Sequence, residues 1–306
     1  MTEAAAQEST ASIDRARAQA AFERYLEPYD ITNPRIALKA AHTYRVARLC
    51  DQIARDAGFT DAGADLAWLC GLLHDLGRFE QLRRWNTFTD GDSASHAAIA
   101  VDVLFNQAVR VCDPSFANAP CRDADARSRD DAFMDHAREA GSIRAFLDDP
   151  AADELIRAAI AYHSDFRIPA GLDARTQAFC HIVRDADKID ILRVACTDTV
   201  ETVIGATEDE LLASSVSPSM EDAFFEHRTA TRAERTTPVD HLVNLTCYAF
   251  ELIYPTSLQI MVDQGYLFGL YSKPFGIERP YTNRATARLL ARMDGHLRAW
   301  IDEQLD

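Results

Sequence analysis

Two adjacent residues, His74 and Asp75, close the almost wholly apolar run Trp68-Leu69-Cys70-Gly71-Leu72-Leu73, and this constrains the chain more than any other feature. An imidazole and a carboxylate buried together cost free energy unless they are paired or hold a cation. A metal-binding helix end is therefore expected. Gly77, two residues on, is expected to finish that helix in the left-handed conformation and let the chain turn over the site.

The rest of the sequence repeats the pattern. His42 continues the stripe Leu38, Val46, Leu49, Ile53, whose spacings of four and three place it on the buried face of a helix. Asp187 does the same with Val183, Ile191 and Val194; His163 follows Ile156 and Ile160; His96 leads Ala100 and Val103. One such histidine reads as an ordinary satisfied core residue. Four helices each aiming an ionisable group inward do not, because packing alone favours Leu or Ala at every one of these positions. The remaining histidines, His136, His181, His227, His241 and His296, fit no ligand slot and read as ordinary.

The series His42, His74-Asp75, His96, His163, Asp187 resembles the His...His-Asp...His...His...Asp pattern of the HD superfamily of metal-dependent phosphohydrolases, over about His42 to Leu192. The resemblance implies an all-α HD-domain helical bundle. It also implies a ligand set: His42, His74, Asp75 and Asp187 for one ion, with Asp75 bridging to a second held by His96 and His163. The interval from His96 to His163 exceeds the family's usual one, and the polar, turn-rich stretch near 112–142 reads as an insertion.

Imidazole nitrogen and carboxylate oxygen suit one or two borderline divalent ions, Mn, Fe, Co, Ni or Zn, with positions left for water and a phosphate oxygen. The seven cysteines contain no Cys-x-x-Cys pair, so a zinc ribbon is not expected. Besides Asp75, the expected catalytic residues are Arg78 and Lys188. Arg78 stands in His-Asp-Leu-Gly-Arg where many HD proteins have His-Asp-Ile-Gly-Lys, and its guanidinium fork suits a phosphate. Lys188 flanks Asp187 and either meets substrate or pairs with Asp185 or Asp190. Alarmone-hydrolysing HD proteins carry an acidic residue where this chain has Arg78, and the Gly-Tyr-Pro signature of cyclic-dinucleotide phosphodiesterases is absent; both specialised activities are disfavoured. Asp90 and Asp92, in the loop between two ligands, read equally as turn residues or site residues.

Composition bounds the partners. Asp and Glu number 48 against 32 Lys and Arg, a net charge of −16, which argues against a nucleic-acid polymer or a membrane surface as partner. A small phosphorylated substrate is the expected partner, drawn in by metals and Arg78. No apolar run approaches the roughly 20 residues needed to span a bilayer. The N-terminus shows no signal-peptide pattern, and unpaired cysteines suit a cytoplasmic location.

The expected organisation is a flexible N-terminus at 1–11, a metal-binding core at 12–205 and a helical C-terminal extension at 206–306. The extension is expected to supply a pocket wall or a homodimer surface. Ser12 and Asn33-Pro34 are the first helix-start signals, and one long helix is expected over 238–263. The expected activity is hydrolysis of a phosphate ester or anhydride, nucleotides included, by metal-activated water. The alternatives are a di-iron oxygenase of the same superfamily and a catalytically silent, nucleotide-sensing HD protein.

Overall fold

The structure is a computed structural model that describes residues 12–105 and 139–306. All regular structure among the described residues is helical. The expected flexible stretch 1–11, and most of the insertion expected near 112–142, lie outside the described residues. No described helix is long and apolar enough to cross a membrane. The chain divides into two compact units, Met1–Arg184 and Asp185–Asp306.

In the first unit, α1 (Arg15–Leu26) is capped by Asp14, which accepts from the Arg17 amide at 3.0 Å. The carboxylate supersedes Ser12 as the cap because it lies one residue before the first turn. α2 (Pro34–Asp56) starts as its sequence predicts, with Asn33 at the cap and Pro34 at the first position. α3 (Asp61–Leu73) is capped by Thr60. The two pack closely at Gly71, where a Cβ would meet Ala47 Cα and Cys50 Sγ, each at 2.8 Å.

α3 stops at Leu73, and α4 (Gly77–Trp85) begins four residues later. Gly77 thus opens a helix instead of closing one, and it has no positive φ. Its reason is proximity. A Cβ there would stand 2.0 Å from His96 O and 2.7 Å from Ala100 N, so only glycine lets α4 rest on α5 (His96–Phe105). The Tyr25 hydroxyl donates to Leu76 O at 3.0 Å, fixing the turn between α3 and α4. Glu80, fully buried, is balanced by Arg83, Arg84 and the Tyr29 hydroxyl. Two shorter elements, α6 (Ile143–Phe146) and α7 (Asp153–Ala161), lead to α8 (Ala174–Thr197), within which the division between the units falls.

The second unit continues with α9 (Val200–Val203), α10 (Glu208–Ala213) and α11 (Pro218–Phe225). They are followed by α12 (Pro238–Thr246), α13 (Pro255–Asp263), α14 (Tyr266–Ser272) and α15 (Arg284–Leu305). The single helix expected over 238–263 is broken. Pro255 pushes Tyr254 out of the helical region, to ψ 129°, and the amides of Ile253 and Tyr254 donate instead to the Asp185 carboxylate at 3.0 and 3.1 Å. Burial raises Asp185 to about 6. On α15, Leu290, Met293, Leu297 and Ile301 form the buried stripe.

Candidate metal centre

His74 is the residue at which α3 ends, and Asp75 follows in the turn held by Tyr25. The turn aims the Asp75 carboxylate at four imidazoles. Oδ2 lies 3.6 Å from His42 Nε2 and 3.7 Å from His74 Nε2; Oδ1 lies 3.5 Å from His96 Nε2 and 3.7 Å from His163 Nε2. One carboxylate therefore stands between two histidine pairs, each facing a different oxygen. All five residues are at most 4% exposed.

The ring orientations are fixed from behind. His74 Nδ1 bonds Gly71 O and His163 Nδ1 bonds Ile160 O, both at 2.7 Å, while His96 Nδ1 meets the Asp90 carboxylate at 2.8 Å. Carbonyl and carboxylate acceptors require the proton on Nδ1, which directs each Nε2 lone pair toward the centre; such outer partners orient metal-ligating histidines. Arg184 secures the chain around His163 by donating to the carbonyls of Tyr162 and His163 at 2.9 and 3.3 Å.

The donor set fits a divalent cation. One ligand atom from each of His74, Asp75 and His163 lies within 4.8 Å of the others, and mixed imidazole and carboxylate donors match borderline metals. His96 Nε2 and His163 Nε2 are 2.9 Å apart. Burial, then the charge of Arg78, lowers His96 to about 4 against the opposing pull of Asp90, so this ring is neutral and able to ligate at neutral pH.

Two cations of the chain also face the carboxylate. Lys39 Nζ lies 2.7 Å from Asp75 Oδ2 and Arg78 Nε 3.4 Å from Oδ1. Burial opposes ionisation of Asp75, but Lys39, then His74, Arg78 and His96, holds it well below the usual carboxylate range. Lys39 was not among the expected site residues. Its signal was positional: it precedes His42 by one helical turn, on the same face of α2.

Arg78 lies at the site, as the sequence expects, but with several partners of its own. It donates to Gln81 Oε1 at 2.9 Å, Phe88 O at 2.5 Å and Asp90 Oδ1 at 3.2 Å, so it also fastens the loop between α4 and α5. Asp90 collects Arg78, Gln81 and His96. Burial opposes its charge, yet the His96 hydrogen bond and the nearby cations keep it at about 2. The structure thus places it directly behind His96, a position its Asp-rich turn did not reveal. Phe88 carries three cations over its ring, with Arg35, Lys39 and Arg78 at 4.8, 5.5 and 5.9 Å from the centroid.

The remaining expected residues belong to the second unit. Asp187 is half-buried on α8, and after burial its charge is the main influence raising the Tyr248 phenol to about 12. Lys188 pairs with Glu251 at 3.7 Å and lies over the Tyr248 ring, and its charge also acts on Asp185 against the effect of burial.

Comparison with known proteins gives one match. The family model described as HD domain matches residues 40–110, a stretch that includes His42, His74, Asp75, Arg78 and His96. No curated protein and no solved structure matches the chain.

Proposed function

We propose that this chain, which carries an HD domain over residues 40–110, is a metal-dependent hydrolase of small phosphate esters or anhydrides, with nucleotides among the substrates. The observation that carries the reading is the Asp75 carboxylate, one oxygen toward His42 and His74 and the other toward His96 and His163. That is the arrangement a bridging ligand between two ions needs. Asp187 is retained as the last ligand of the series on sequence grounds.

Bound divalent ions would acidify a water to a nucleophile near neutral pH and neutralise charge on the phosphoryl group. The chain's own residues supply the rest. The Nδ1 hydrogen bonds of His74, His96 and His163 keep three Nε2 atoms aimed at the centre, so little reorganisation accompanies loading. Lys39 and Arg78, both close to Asp75, are the cations that reach phosphate oxygens. Asp75 is buried, which strengthens each of these interactions.

The test is metal analysis of protein purified without chelator, followed by a screen of nucleotides and sugar phosphates with Mn, Co, Ni, Fe and Zn. Asp75→Ala should lose most of the metal and all turnover while helical circular dichroism persists. Full occupancy and activity in that variant would reject the reading. Aerobic turnover of a non-phosphate substrate by the iron form would replace hydrolysis with oxygenation, and tight nucleotide binding without turnover would replace it with sensing.

A further inference from the structure

The second unit holds another pair of imidazoles. His227 Nε2 and His296 Nε2 face each other at 2.8 Å across 69 residues of sequence. His227 follows the end of α11 and His296 sits on α15. Both rings are half-buried and thus reachable from solvent.

Three features separate this pair from a chance contact. First, His227 has φ +56°, a left-handed conformation that a non-glycine residue adopts at a steric cost. Second, the ring is clamped in place: it stacks on Phe250 at 4.6 Å and 24°, with Trp300 at 5.7 Å, while His296 meets the Phe225 ring edge-on at 5.2 Å. Third, Glu303 lies seven residues beyond His296 on the same face of α15, and its charge acts on His227.

The pair alone is a poor end in itself. One ring nitrogen must carry the proton that the other accepts, and a second proton would set two positive charges against each other at contact distance. A cation between the rings removes the conflict, since both nitrogens then offer lone pairs. Two ligands at Zn–N distances of about 2.0–2.1 Å in tetrahedral geometry stand roughly 3.3 Å apart. The half-buried rings need to separate by only about half an ångström to reach that spacing.

We propose that His227 and His296 form a second, independent site for a borderline divalent transition metal, with Zn2+ as the natural probe and water in the remaining positions. The ion would tie α15 to the segment after α11, so its role is structural. It lies outside the HD match and needs none of the residues around Asp75.

The experiment uses the full chain carrying His74→Ala and Asp75→Ala, so ions at the HD centre do not contribute. Zn2+ is titrated against a chromophoric competitor, and thermal unfolding is followed with and without Zn2+. The expected result is a bound equivalent of Zn2+ that raises Tm. Adding His227→Ala or His296→Ala should weaken binding by about tenfold or more and abolish the Tm gain. The conservative variants His227→Gln and His296→Gln, which keep a polar side chain at each position but offer no imidazole lone pair, should fold normally and lose the same binding. No Zn2+-dependent rise in Tm, or unchanged affinity in the histidine variants, overturns the proposal. If the alanine variants fail to fold, unchanged affinity in the glutamine variants overturns it by itself.

Discussion

Lys39 Nζ lies 2.7 Å from Asp75 Oδ2, the oxygen that also faces His42 and His74. A buried carboxylate flanked by imidazoles needs positive charge, and one turn of α2 supplies it. When ions take over that role, the ammonium is available to a phosphate. Lys39→Ala should therefore keep its metal content while kcat/KM falls about ten- to a hundredfold, the worth of a hydrogen bond to a charged group. Inductively coupled plasma analysis beside steady-state kinetics checks this. Unchanged kinetics would confine Lys39 to a structural pairing.

His96 and His163 face one oxygen of Asp75 and His42 and His74 the other, which predicts that the residues would hold two ions, not one. The double change His96→Ala with His163→Ala should lower bound metal from near two per chain to near one. A parent and variant that both hold one ion would reject the second position and leave the first standing.

The acid response of the metal-free protein follows from His96. Burial, then Arg78, lowers it from 6.5 to about 4, so the folded state prefers the neutral ring. Between those values the unfolded chain binds a proton that the folded one refuses. The resulting contribution to stability is fully present above pH 6.5 and is lost as pH falls toward 4. The gap is worth on the order of 3 kcal/mol. In urea unfolding with chelator, His96→Gln should lose less stability than the parent between pH 6.5 and 4. Equal losses would mean that another group governs the response.

Gly77→Ala places a methyl group 2.0 Å from His96 O and 2.7 Å from Ala100 N. Both are backbone atoms, so no rotamer change relieves the clash. The variant should be destabilised by about 3 kcal/mol or more and should bind metal more weakly, since α5 carries His96. A variant matching the parent in both respects would show that α4 and α5 separate freely.

The helical class and the inward positions of His42, His74, Asp75, His96 and His163 were legible because each follows from apolar spacing on one helix. What was hidden depended on contacts between elements. Gly77 looked like a helix terminator because φ is invisible in sequence and terminal glycines are common; its real constraint is a helix that passes 19 residues later. Asp90 read equally as a turn residue, and Lys39 offered only its place one turn before His42, since an Asp in a polar loop and a Lys on a helix are usually solvated. His227 and His296 were read as ordinary because neither lies on a metal-type spacing, and only the fold brings their rings to 2.8 Å. The break at Pro255 was partly visible, but its partner, Asp185, was not.

Gly71 leaves no side chain between α2 and α3, and a Cβ there would meet Ala47 Cα and Cys50 Sγ at 2.8 Å. The span from His42 to His74 is thus gauged by main chain, which does not give way when a rotamer changes. Gly71 accordingly sets the separation of the two imidazoles twice over, through the helix contact its missing side chain allows and through its carbonyl, which holds His74 Nδ1 at 2.7 Å.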